Sequence, residues 1–399
     1  SDAIERYPEA QHIDRPGHVL LPGLVNAHVH AAMTLFRGLA DDLPLDDWLQ
    51  RHIWPAENRW IGPVFIRDGT ELAMAEMIRS GTTCCNEMYY FPDIAAQTAV
   101  DVGLRTVVAM IVIEQPTPWA STVEEYFEKG LAVHDQFRGH PLVRTSFGPH
   151  APYTVSDDSL RRIRMLADEL GTTVHMHVHE TAREVADAQA QSGQRPLARL
   201  DTLGLVTPLL NAVHMTELDD DEIALLAERG ASVVHCPESN LKLASGFCPV
   251  GRLLDAGVNV ALGTDGAASN NDLDMFGEMK TAALLGKAVS ADATAVSATR
   301  ALEMATINGA RALGLEDETG SLTVGKAADL ICVDLGHPDS CPVYHPVSQL
   351  VYACGRHQVS DVWVAGRQLL DRGQLTELDS DDIRQRAQAW SERIGAGND

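Results

Sequence analysis

Three histidines stand at every second position in "HMHVHE", His175 to Glu180, and the stretch closes on a carboxylate. In a strand, alternate side chains share a face, so all three histidines can point one way and spacing alone does not choose among them. A second set, His28 and His30 in "NAHVHAAMT", forms an HxH whose two imidazoles can reach one metal ion. Asp265 in "LGTDGAASNN" adds a carboxylate able to ligate the same ion and to take a proton from water. His150 and His214 each stand near the end of an apolar run. Every one of these has a blander reading: partly exposed loop histidines, a turn aspartate before glycine, hydrogen-bonded core histidines. Only convergence from separate elements can decide.

The elements that would bring them together are eight short apolar, mostly β-branched runs between Val19 and Asp265, separated by stretches of helical periodicity. They are "GLVNAHVH", "GTTCCNEM", "RTVVAMIVI", "LVRTSFGPH", "TTVHMHVH", "LLNAVHM", "ASVVHC" and "NVALGTD". Eight successive βα units predict an α/β fold of the (β/α)8 TIM-barrel type over residues 19–318, with a doubly wound sheet as the alternative that counting leaves open. In a barrel all C-terminal strand ends meet at one mouth, and His28, His30, His150, the 175–179 triplet, His214 and Asp265 all sit at such ends. Beyond it, "GSLTVGKAADLICVD" and "VSDVWVAGRQLL" alternate like antiparallel strands, and "DSDDIRQRAQAWSERI" reads as a capped helix. Residues 319–399 are therefore expected to form a small β appendage with a closing helix.

Composition narrows the partners. Lys plus Arg number 31 against 56 Asp plus Glu, a formal net charge of −25, which disfavours polymeric nucleic acid and anionic membrane surfaces and suits a small neutral or weakly cationic substrate. Seven cysteines without a CxxC argue against a disulfide framework or a cysteine zinc cluster and point to a reducing cytoplasm. The longest apolar run, "VVAMIVI", is too short to span a bilayer. The first residues lack signal-peptide regions and an initiator Met, so a processed, trimmed or internally numbered chain is expected. "GSLTVGKA" falls short of a phosphate-binding loop because Ala327 stands where a hydroxyl is needed, and the HxE and PCxxC elements of polynucleotide deaminases are missing.

At this point the residues resemble the amidohydrolase superfamily, and within it the branch that deaminates 5′-methylthioadenosine, S-adenosylhomocysteine and adenosine. The matching segments are "LPGLVNAHVHAAMTLFRGLADDLPLDDWL", "HIWPAE", "FGPHAPYTVS", "HVHETAREV", "ESNLKLASG" and "LGTDGAASNNDLDMFGEMK", spread from Leu21 to Lys280. The superfamily's fifth-strand ligand stands three residues before a catalytic glutamate, which implies His177 and Glu180. It leaves His175 to the core or behind the ligands, and His179 as a ligand only in another register. The resemblance implies one divalent metal, zinc with iron or manganese as alternatives, held by His28, His30, His177 and Asp265. A second metal would call for a lysine that "LVRTSFGPH" lacks.

The implied roles are Asp265 as proton acceptor from a metal-activated water, Glu180 as donor to the ring nitrogen beside C6, and His214 as the group orienting the nucleophile. His150 is implied near the nucleoside and Glu57 on the ribose hydroxyls. Relatives that accept the homocysteine tail use arginines after strand three, where "MIVIEQPTPWASTVEEYF" has none, so methylthioadenosine is expected to be preferred, then adenosine, with S-adenosylhomocysteine disfavoured. Relatives also open with several sandwich strands, which makes residues 1–18 a remnant of that part, and they are often homodimers. The alternatives are the same machinery acting on guanine, a pterin or a triazine, and a non-catalytic scaffold on the same fold.

Overall fold

Each of the eight apolar runs forms a strand of one parallel sheet in the computed structural model, which describes residues 5–396. The strands are β2 (Leu24–Val29), β3 (Thr82–Glu87), β4 (Arg105–Val112), β5 (Val143–Pro149), β6 (Val174–Val178), β7 (Leu210–His214), β8 (Ser232–His235) and β9 (Asn259–Leu262), hydrogen-bonded in chain order. Helices between them cover the outside, giving a (β/α)8 barrel. The period of two sorts each strand: Leu210 and Ala212 of β7 pack outward into the helix-facing core, while Val213 joins Ala27, Val234 and Ala261 inside the barrel.

The last strand returns beside the first. Asp265 N donates to His28 O at 3.0 Å, and Asn26 and Thr264 exchange two hydrogen bonds at 2.7 and 3.0 Å. Gly263 permits this approach, since a Cβ there would lie 2.8 Å from His28 N and Cβ. The seam therefore carries His28 and Asp265 side by side.

A five-stranded antiparallel sheet forms the appendage in the order β1 (His18–Pro22), β10 (Leu330–Asp334), β11 (Val359–Val364), β12 (Arg367–Asp371) and β13 (Gln374–Leu375). Val19 to Pro22, assigned to the barrel from sequence, thus belong to this sheet, with His18 opposite Asp334 and Pro22 opposite Leu330. The run "VLLPGLVNAHV" reads as one apolar segment, but it splits at Gly23, whose N–H donates to Asp329 O. Residues 1–4 of the expected N-terminal remnant, and 397–399 at the other end, lie outside the described residues.

The closing helix Ser380–Ala396 begins at Asp379, whose side chain accepts from the N–H groups of Asp381 and Asp382. It packs on the barrel helix Pro63–Arg79, where Trp390 donates to Asp68 at 3.0 Å and meets Phe65 edge to face.

Barrel floor and appendage are joined by a buried ion pair. Arg105, at the start of β4, reaches Asp329 at 2.6 and 3.3 Å, and Asp329 also accepts from Ala365 N–H. Both side chains are nearly inaccessible, at 4% and 0%. Asp329→Leu would leave a desolvated guanidinium unpaired and is expected to cost about 3–5 kcal/mol in chemical denaturation. Breaking the exposed Arg300–Asp255 pair with Arg300→Ala should cost less than ~1 kcal/mol. Equal losses would contradict this account.

Candidate active site

Four of the predicted residues meet in one buried knot at the C-terminal mouth. His28 Nε2 lies 3.3 Å from His177 Nε2 and 3.4 Å from Asp265 Oδ1, and His30 Nε2 lies 3.3 Å from the same oxygen. His28, His177 and His214 also bring ligand atoms within 4.8 Å of one another. His28 Nε2 and His177 Nε2, 3.3 Å apart in a buried place, can both turn a lone pair to one shared cation.

The partners of the other ring nitrogens explain why these lone pairs face inward. His30 Nδ1 bonds Met88 O, His177 Nδ1 lies 2.7 Å from His150 O, and His214 Nδ1 lies 2.9 Å from Asn240 Oδ1. A carbonyl only accepts, so each Nδ1 carries the hydrogen and each Nε2 is left as a donor of electrons to a metal. Burial holds His28 to about 4 and takes His177 well below the ordinary imidazole range, so these rings are neutral. For Asp265 burial acts upward, but the His28 and His30 side chains, 3.4 and 3.3 Å from Oδ1, outweigh it and hold the carboxyl well below the usual range. Neutral imidazoles and one carboxylate are the protonation states a divalent ion requires.

The backbone around this knot is strained in a patterned way. His179, His214, Met215 and Asp265 all have positive φ, between 48° and 75°, just where strands give way to loops. Hydrogen bonds hold them: Met215 N–H donates to Val178 O, and Thr216 N–H to His179 O. Asp265 is oriented further by Ser239, which donates to Oδ2 at 2.7 Å, and by Gly266 N–H at 2.7 Å to Oδ1.

The three histidines at and just past β6 are now distinct. His177 faces the mouth and His175 lies below it with Nε2 2.8 Å from His28 Nδ1. His179 turns away: its Nδ1 pairs with Glu217 O at 3.0 Å and its Nε2 accepts from Leu197 N–H at 3.1 Å. Both nitrogens being occupied, it has none to offer a metal.

A cavity opens beside the knot. Its walls include His30, Glu57, His150, His177, Glu180, His214 and Asp265, so every predicted site residue except His28 lines it. His28 lies directly behind, as a fully buried member of the knot. Glu180 Oε1 stands 3.9 Å from His214 Nε2. Glu57 projects from the helix Trp54–Trp60, which follows a π-helical turn, Leu49–Ile53. That turn helps to aim Trp48, Leu49, Trp54 and Glu57 at the cavity. Burial raises Glu57 to about 7, against the hydrogen bond it accepts from Tyr89 OH at 2.6 Å.

Tyr89, Ser239 and Asn240 were given no role from sequence. "YY" follows the second run and "ESNLK" the seventh, positions after barrel strands where site residues gather, and that placement was the available signal.

The amidohydrolase family model matches residues 19–369, and the chain belongs to that family. Within it, a 5-methylthioadenosine/S-adenosylhomocysteine deaminase of Teredinibacter turnerae is 53% identical over 396 residues, covering 99% of this chain and 90% of its own. A 5′-deoxyadenosine deaminase of Methanothermobacter thermautotrophicus is 45% identical over 377 residues, 94% of this chain and 88% of its own. A crystal structure of an adenosine deaminase from Xanthomonas campestris with bound zinc superposes with a TM-score of 0.96 at 58% identity, over 96% of this chain and 88% of that one.

If the knot is a metal site, His177→Ala should purify with less than about a tenth of the wild-type metal content by elemental analysis, whereas His179→Ala should keep it. Loss of metal from His179→Ala alone would reverse the assignment on β6.

Proposed function

We propose that this chain hydrolyses the exocyclic amine of an adenosine-like nucleoside, with His28, His30, His177 and Asp265 holding one divalent ion, zinc in our reading. The observation that carries it is a single cavity lined both by the donor knot and by the buried carboxylate of Glu57. Relatives named as adenosine-type deaminases at 45–58% identity support the substrate class. When bound, such an ion lowers the pKa of water and so supplies a nucleophile near neutral pH.

The chain's own residues do the rest. Asp265, ionised and held by Ser239 and Gly266, takes a proton from the attacking water. His214 is fixed through Asn240 with its Nε2 free of hydrogen, so it accepts from that water and aims it. Glu180 delivers a proton to the ring nitrogen beside C6 as the C–O bond forms. The proton taken by Asp265 then passes to the leaving amine, and the new hydroxyl returns a proton to Glu180. Breaking the C–N bond releases ammonia and leaves the hypoxanthine nucleoside, so both carboxylates are restored and water plus amine balances product plus ammonia.

Glu57, held by Tyr89, accepts hydrogen bonds from the ribose hydroxyls, and His150 lies against the nucleoside. At the end of β4 the wall of the cavity is Ile111 and Ile113, and the segment 110–127 has no arginine to hold an amino-acid carboxylate. An apolar 5′-methylthio group fits this better than a homocysteine tail. No helix among the described residues is long and apolar enough to cross a membrane, and all seven cysteines are free, which we read as a protein of a reducing cytoplasm.

Ammonia release from adenosine, methylthioadenosine, S-adenosylhomocysteine, guanine and a pterin tests the reading. Turnover of the last two alone would remove the nucleoside, and a higher kcat/KM for S-adenosylhomocysteine than for methylthioadenosine would remove the tail preference. Glu57→Gln should lower kcat/KM for ribosides by roughly 10–100-fold, since hydrogen bonds to a charged group are lost, and should leave a base-only substrate nearly unchanged.

A further inference from the structure

The interior of a (β/α)8 barrel is ordinarily filled by branched apolar side chains. Here four polar side chains interrupt it beneath the mouth. Asn86 on β3, Ser146 on β5, His175 on β6 and Asn211 on β7 are at most 1% exposed, and each adjoins a residue that packs outward, Cys85, Phe147, Met176 and Ala212. Six of their atoms have no hydrogen-bond partner among the described residues: both amide atoms of Asn86 and Asn211, Ser146 Oγ and His175 Nδ1. Buried polar atoms are kept in native proteins when something uses them.

His28 shows what that use is. His30, His177 and His214 each turn Nδ1 to an oxygen that only accepts, and this fixes their hydrogens. His28 alone turns Nδ1 to another imidazole, His175 Nε2, at 2.8 Å with the rings 29° apart. An imidazole can donate or accept, so two arrangements exist for the neutral pair. In one, His175 donates and the hydrogen of His28 sits on Nε2, toward Asp265, where it blocks ligation. In the other, His28 donates from Nδ1, its Nε2 is a lone pair, and the hydrogen of His175 sits on Nδ1. An acceptor for His175 Nδ1–H favours the second before any cation is bound.

We propose that the inner polar layer of Asn86, Ser146 and Asn211 supplies that acceptor through a bridging water, and that His175 is thereby a positioning residue that holds His28 in its metal-binding tautomer. Asn211 is the register partner of His175 on the neighbouring strand, which makes its carboxamide the first candidate. The inference rests on the reading of His28 as a ligand.

The test is zinc affinity by competition with a chromophoric chelator, alongside the absorption spectrum of the cobalt-substituted protein and the thermal midpoint of the zinc-free form. His175→Phe should bind zinc 10–100-fold more weakly, about the range for lost outer partners of a ligand. His175→Gln, whose side-chain carbonyl can accept from His28, should recover most of that and restore the cobalt spectrum. Asn211→Leu should weaken zinc in the same direction without lowering the zinc-free midpoint, and it serves if His175→Phe does not fold.

Wild-type affinity in His175→Phe, or equal losses in Phe and Gln variants, overturns the proposal. So does wild-type affinity in Asn211→Leu. His28→Ala separates the two levels: if it retains stoichiometric zinc, the site reading itself fails. If it loses zinc while His175→Phe binds normally, only the positioning role falls.

Discussion

Everything around the mouth of this barrel answers one electrostatic constraint. Nitrogen lone pairs and a carboxylate are packed within contact of each other, largely buried and open only toward the cavity. Such an assembly is unfavourable by itself, because like lone pairs repel and the desolvated anion has lost its hydration. It holds together because each ring is tied by its far nitrogen and because Ser239 and Gly266 hold Asp265 from behind. Those ties leave the near nitrogens available to a cation.

The ties themselves come from segments that do no chemistry. Met88 O and His150 O belong to the backbone just past β3 and β5, and Asn240 belongs to the short helix Pro237–Lys242 after β8. Positive φ values at His179, His214 and Asp265 mark where these strands break into the loops that line the mouth. Fold stability is drawn from elsewhere, from the helix-facing core and the Arg105–Asp329 anchor at the opposite end of the barrel. A strained mouth on a well-packed floor is the division of labour this architecture permits.

Much of this was legible in the chain. Eight β-branched runs, several of them finishing with a His or an Asp, indicated the barrel, and each run became a strand in order. Binary pattern is a local property, so it survives without knowledge of partners. The edge between barrel and appendage was not legible, because "VLLP" and "LVNAHV" are equally apolar and only pairing of β1 with β10 separates them. Tyr89, Ser239 and Asn240 escaped for a similar reason: their significance lies in what they touch across 26 to 32 residues of chain.

The sequence by itself determined the inventory: which residue types stand at strand ends, their alternation, and a net charge unsuited to polyanionic partners. It could not distinguish His175, His177 and His179, since one strand offers all three the same local environment. Tertiary structure made that decision through the surroundings. His177 meets His28 at the mouth, His175 meets it from below, and the backbone turn at His179 carries that ring to Glu217 and Leu197. Ligation depends on the direction of a lone pair, and that direction is set by a hydrogen bond from a distant part of the chain.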